Sequence, residues 1–313
     1  MKKIFLAVCL LCFFTTVSFA HVTIGKKQVH NVADTTTRII DIGISTNNYL
    51  KGLRNISTFS IFNNTLFIIN GDKLVEVNLQ NGAVSQNDVV TNFLKKQPKD
   101  KNFVSKIRVT PEGYYLTIFK DLYRISTAGE VTKLHSLSRF YEGLYVLNDK
   151  LIVGSIETVE LINKNGQRLQ AMPFPSLASS SGYVRGENGL YYSGNSEDSV
   201  LEFQSKGNGM NVNSYPPLSE LVTIKEPFLS YVTDKYFVAF SYLKRNTIYI
   251  IKKDIKKNEV YKTISVKGVN LTPTASEMQS EEGYPNLKID CSNYVYYILS
   301  LIKGKLKVLS FKV

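Results

Sequence analysis

Two cations alternate with apolar residues in Val104-Ser105-Lys106-Ile107-Arg108-Val109. Successive side chains of an extended chain point to opposite faces, so Lys106 and Arg108 share one face and Ile107 and Val109 the other. The alternation returns at 287–291, where Lys288 and Asp290 lie opposite Leu287 and Ile289. In 182–187, Tyr183, Arg185 and Glu187 share a face, and beside Arg139 the run Phe140-Tyr141-Glu142-Gly143 adds a carboxylate and an aromatic pair. Charges on a strand whose other face is apolar need water or counter-charges, because burying them unpaired is costly. A hydrated channel lined by these strands would supply both. In it Lys106, Arg108, Arg185 and Lys288 would attract an anionic ligand, and Tyr183 or Tyr141 would stack against it. Alternatively the groups pair among themselves, Lys106 or Arg185 with Glu142 or Asp290, and only keep the interior filled.

Covalent and metal chemistry have no comparable signal. The chain has no G-x-S-x-G, no H-E-x-x-H, no D-x-D-x-D-G calcium loop and no Gly-rich phosphate loop leading into a helix. Its three histidines, His21, His30 and His135, are too dispersed to suggest a metal site or a triad. Cys9 and Cys12 fall in a leader segment, which leaves Cys291 alone, in phase with apolar neighbours and read as a packing residue. A protein without intrinsic catalysis, cofactor or disulfide is expected.

Residues 1–20 read as a secretory signal peptide of bacterial type: Lys2 and Lys3, an apolar run over 4–14, then Ser18-Phe19-Ala20 before a mature start at His21. The run is shorter than the roughly 20 residues a membrane span needs, and no other long apolar run follows. Export to the periplasm or the medium is expected. The formal charge is +12, from 38 Lys and Arg against 26 Asp and Glu; without Lys2 and Lys3 it is 36 minus 26, or +10. Such an excess suits an anionic small molecule, a polysaccharide or a protein partner, while nucleic acid is not the expected partner of an exported chain. Lys252, Lys253, Lys256 and Lys257, around Asp254, read as a charged hairpin turn.

A repeat would position these groups. The stretch 61–84 reads as strands separated by turns at Asn63-Asn64, Asn70-Gly71-Asp72 and Asn81-Gly82, since Asn and Gly accept the positive φ of tight hairpins. Turns leading into an apolar strand recur at Asn64, Gly113, Asp149, Asn188, Asp234 and Asn293, spaced 49, 36, 39, 46 and 59 residues apart. Six units of three or four strands result. No unit can bury its faces alone, so 21–313 is expected to form one all-β domain, a six-bladed β-propeller. The last unit ends without a fourth strand, and 37–43 would supply it and close the ring. The 59-residue spacing leaves room for a degenerate seventh blade. It contains the acidic segment 269–285, with Glu277, Glu281 and Glu282, read as a loop or lid; 89–102, with Lys95, Lys96, Lys99 and Lys101, reads as a basic connection between the first two units.

With its N-x-L-hydrophobic strands and x-N-G-x-V turns, nearly all of the mature chain resembles the broad six-bladed propeller class of NHL- or YWTD-like organisation, especially its exported bacterial members. The absence of Trp sets it apart from WD40 repeats, Asp-box sialidases and Trp-docked quinoproteins. The resemblance implies ligand binding at the mouth of the central channel, where the innermost strand of each blade would carry the charges above, in a non-catalytic binding or scaffolding module. Propeller hydrolases or lyases resembling the SMP-30 and gluconolactonase family hold a divalent cation with Glu, Asn and Asp. Glu142, Asn286 and Asp290 are the residues here for such roles, although their cationic neighbours would oppose a metal. A third implication is a protein–protein platform that uses a flat face and blade-edge loops.

Overall fold

The computed structural model describes residues 38–43, 47–53, 58–98, 103–173, 183–193, 199–221, 223–225, 227–241, 243–266, 288–292, 295–302 and 305–312. Apolar runs bounded by turn residues become strands in an almost unbroken series, opened by β1 (Arg38–Gly43). The first blade holds β2 (Phe59–Phe62), β3 (Thr65–Asn70), β4 (Lys73–Asn78) and β5 (Val84–Asn87). The second holds β6 (Val104–Thr110), β7 (Gly113–Ile118), β8 (Asp121–Ser126) and β9 (Val131–Ser136). The third holds β10 (Gly143–Val146), β11 (Lys150–Gly154), β12 (Thr158–Asn163) and β13 (Arg168–Pro173). The fourth holds β14 (Tyr183–Arg185), β15 (Leu190–Ser193), β16 (Val200–Lys206) and β17 (Gly209–Tyr215). The fifth holds β18 (Pro227–Val232), β19 (Tyr236–Ser241), β20 (Thr247–Lys252) and β21 (Glu259–Ser265). The sixth holds β22 (Lys288–Ser292), β23 (Val295–Ile302) and β24 (Lys305–Phe311), with β1 as its outer strand.

The innermost strands β2, β6, β10, β14, β18 and β22 touch in cyclic order, with β22 returning to β2. Six antiparallel four-stranded sheets in a closed ring make a six-bladed β-propeller, and the ring leaves no place for a seventh blade. Closure is by β1, which pairs with β24 from Arg38↔Ser310 to Gly43↔Lys305. The two ends of the fold therefore share one sheet.

Burial explains why the strands read as near-continuous apolar runs rather than strict alternations. Middle strands are covered on both faces: all four central residues of β3, from Leu66 to Ile69, are buried. Six apolar clusters result, each drawn from two neighbouring blades, such as Leu66 and Ile68 with Leu299 and Val308, or Tyr115 and Leu122 with Leu151 and Val153. The core therefore lies between blades. Hairpins form as expected, with Asn63 and Asn64 at φ 46° and 59° and Gly82 and Gly166 at 75° and 85°. At Gly166 a Cβ would stand 1.8 Å from the Leu134 carbonyl oxygen, so only glycine fits there.

One departure is a helix, α1 (Asp88–Lys95), inside the segment expected to be a plain basic connection. Asn87 caps it by accepting from the Val90 N–H at 3.0 Å. Its buried face, Val90, Phe93 and Leu94, joins Val104, Ile107 and Leu116 in the cluster between the first and second blades. Among the described residues no helix is long and apolar enough to cross a membrane. The leader 1–20, the acidic segment 269–285, and Lys99 and Lys101 lie outside the described residues.

Candidate binding site

The inner strands carry the charges found by alternation. Lys106 and Arg108 lie on β6, Glu142 directly precedes β10, and Arg185 ends β14. Lys106 and Glu142 are brought together across the second and third blades: burial pushes the Glu142 carboxyl up, and the nearby Lys106 charge offsets this only in part. Arg108 reaches toward the first blade, its Nη1 donating to the Phe59 carbonyl at 3.2 Å and to that of Ile107 at 3.1 Å. Arg185 lies close enough to Tyr145 of the third blade to oppose the upward push that burial exerts on its phenol. Lys288 and Asp290 occupy β22, paired across to Leu299 and Tyr297. Their side chains, and Asn286 altogether, lie outside the described residues.

The aromatic residues expected to stack on a ligand are spent on packing. Tyr183 is buried, and its hydroxyl donates to the Ser155 carbonyl at 2.7 Å. Its ring fills the space left by two glycines of the third blade; a Cβ on Gly154 would come within 2.5 Å of the ring and one on Gly143 within 2.7 Å. Tyr141 is 1% exposed in the cluster between the second and third blades. Alternation sorts residues by strand face. In a propeller that face is roofed by the next blade, so Tyr183 and Tyr141 are core residues.

Two polar junctions escape the sequence reading. Glu187, just past β14, gathers four blades: its backbone N–H donates to the Val232 carbonyl at 2.9 Å, and its carboxylate accepts from the Asp234 N–H at 2.9 Å and from the Tyr296 hydroxyl at 2.7 Å. The Tyr145 hydroxyl donates to its carbonyl. Lys253, read as part of a charged hairpin turn, has a side chain only 8% exposed, and its Nζ meets Glu202 of the fourth blade at 2.6 Å and the Tyr191 hydroxyl at 2.8 Å. Glu202 also accepts from Tyr215 at 2.6 Å and from Asn213 at 3.0 Å. The arrangement recurs between the second and third blades, where Lys164 reaches Glu112 at 2.8 Å and the Tyr115 hydroxyl at 2.9 Å. No signal in a single sequence distinguishes such a lysine from an exposed one, because its partners come from another blade.

At one end of the ring, apolar side chains stand in solvent. Phe103 is 59% exposed, Phe140 51% and Ile156 55%. Phe119, in the turn between β7 and β8, adopts φ 56°, a left-handed conformation that costs a bulky residue about 1–3 kcal/mol. A cavity of about 100 Å³ lies elsewhere, between the first and sixth blades, lined by Ile40, Asn64, Leu79, Gln80, Tyr297, Val308 and Ser310. Among the described residues no three His, Cys, Asp or Glu side chains gather as a metal site.

No family model matches the chain, and no curated protein matches it in sequence. Solved structures do match in shape. The N-terminal domain of Nup159 superposes with a TM-score of 0.52 at 13% identity, over 91% of this chain and 98% of that one. These are likenesses of fold. A putative exported protein from Bacteroides fragilis gives the same TM-score of 0.52 at 11% identity, over 91% of this propeller and 97% of its counterpart.

Proposed function

We propose that this chain is an exported, non-catalytic binding or scaffolding propeller. One contrast carries the reading: Arg108, Glu187 and Lys253 are taken up in contacts between blades, whereas Phe103, Phe140 and Ile156 remain in solvent on loops at one end. A closed ring that presents accessible loops is suited to holding a partner. Export rests on the leader 1–20, and the likeness to a putative exported protein supports it.

The finer form of this reading is an anionic ligand at the channel mouth. Lys106 of the second blade acts on Glu142 of the third, whose carboxyl ionises less readily than usual, and Arg108 and Arg185 lie on the inner strands of the second and fourth blades. The test is thermal unfolding of residues 21–313 with acidic sugars, nucleotides, polyanions and divalent cations, with a chelator control. An anion at 100 times its Kd adds about 2.7 kcal/mol, and Lys106→Ser is expected to abolish that gain; a fall of the unliganded midpoint as large as the lost gain would instead show that the charge only pairs within the ring. Arg108→Ser is the contrasting variant, because it also strips a donor from the Phe59 and Ile107 carbonyls and lowers the midpoint itself. Stabilisation by calcium or magnesium that chelator removes would overturn the non-catalytic reading in favour of a metal-dependent hydrolase using Glu142, Asn286 and Asp290.

A further inference from the structure

Phe103, Phe119 and Phe140 come from three separate segments that Phe119 ties together. Its N–H donates to the Phe103 carbonyl at 3.1 Å, and its carbonyl accepts from the Tyr141 N–H at 3.4 Å. Its ring meets that of Phe140 edge to face, centroids 4.4 Å apart. Ile156 continues the patch, joined to it by Arg139, whose Nε donates to Glu157 at 2.7 Å. The left-handed backbone at Phe119 is thus held by the same segments that present the exposed rings. Clustered apolar side chains left in solvent on loops mark interaction surfaces more often than isolated ones do.

The border of this patch is basic. Lys120 follows Phe119 and is exposed. Lys95 and Lys96, at the end of α1, are exposed beside Phe93 and Leu94, which share a core cluster with Val104, the neighbour of Phe103. Arg139 adds a fourth cation, with Glu157 as its partner, while Asp121 is neutralised by Lys133 at 2.9 Å. An apolar patch with exposed lysines on the neighbouring segments is complementary to an acidic chain with apolar anchors.

Resting on the binding-module reading, we propose that this end of the second and third blades docks an acidic segment of a protein partner. The segment sets aromatic or aliphatic side chains against Phe103, Phe119, Phe140 and Ile156, and carboxylates against Lys95, Lys96 and Lys120. Buried anchors supply most of the affinity, and the rim charges govern salt dependence and orientation.

Fluorescence anisotropy on the mature chain tests this, with short labelled peptides in which Glu and Asp alternate with Phe, Leu or Tyr, each matched by a version carrying Lys for the acids. Saturable binding is expected for the acidic set alone. The double variant Phe103→Ala, Phe140→Ala is expected to weaken it about ten-fold or more, while the thermal midpoint falls by no more than the lost Phe119–Phe140 ring contact accounts for. Lys120→Glu with Lys96→Glu is expected to weaken it and flatten its salt dependence. Equal binding of acidic and basic peptides overturns the proposal. So does an unchanged affinity in the double Phe variant, which removes the surface but leaves the binding-module reading standing. If neither peptides nor the anions of the thermal screen bind, both fall. Binding to phosphatidylglycerol vesicles but to no peptide, lost in the double Phe variant, assigns the patch to a lipid surface and overturns the protein partner.

Discussion

Lys253 and Glu202 show what a single side chain contributes to this ring. Their side chains are 8% and 1% exposed, so the pair has little water to fall back on. Lys253→Met leaves the carboxylate buried and is expected to destabilise by about 3–5 kcal/mol, read from the urea midpoint at neutral pH. Burial pushes the Glu202 carboxyl up, but hydrogen bonds from Lys253, Tyr191, Tyr215 and Asn213 outweigh it and hold it below its ordinary 4.5. A depressed carboxyl stabilises the fold above its unfolded value and loses that contribution as pH falls through the folded one. Wild type is therefore expected to lose stability as pH drops below about 4.5, and Glu202→Gln, weaker at the outset, to lose less over the same range. Glu142 works in the opposite sense, since its raised carboxyl favours the folded state when protonated. The run of lysines around Asp254 is legible in the sequence as charge. Which of them is buried is not, because Tyr191, Glu202 and Tyr215 lie in another blade.

Elements of this chain were legible wherever turn chemistry is local. Asn78 caps its own hairpin, accepting from the N–H groups of Gln80 at 2.8 Å and Asn81 at 3.2 Å, and Asn163 does the same for Asn165 at 3.0 Å and Gln167 at 2.9 Å. Such turns are written within a few residues and can be read there. Helix α1 escaped because eight residues give barely two turns of periodicity, and the lysines that follow its apolar residues look like linker. Asn87 fastens it, capping Val90 while its amide also donates to Glu76 at 2.6 Å and the Tyr114 hydroxyl at 2.7 Å. Asn87→Ala is expected to cost about 1–2 kcal/mol in the equilibrium urea midpoint, the upper end reflecting the lost tie to the second blade.

The whole molecule depends on closure. Ile40 and Ile42 of β1 pack on the cluster that joins the first and sixth blades, so removing that strand bares both an apolar face and a sheet edge. A chain beginning at residue 44 is expected to unfold at a clearly lower temperature than one beginning at residue 31 and to associate on size-exclusion chromatography. Equal midpoints and a monomeric profile would show that β1 is dispensable. The sequence by itself indicated six repeated units, the order of their strands and the use of 37–43 to complete the last one, because apolar runs and Asn/Gly turns are local and recur; it left room for a seventh blade, which only the closed ring of inner strands removed. It also placed Lys106, Arg108, Glu142 and Arg185 on or beside inner strands. Only the tertiary structure decided what faces them. Each blade face is roofed by a neighbour far away in sequence, and that packing turned Tyr183 and Tyr141 into core, buried Lys253, made Glu187 a junction and left Phe103 and Phe140 exposed on the rim.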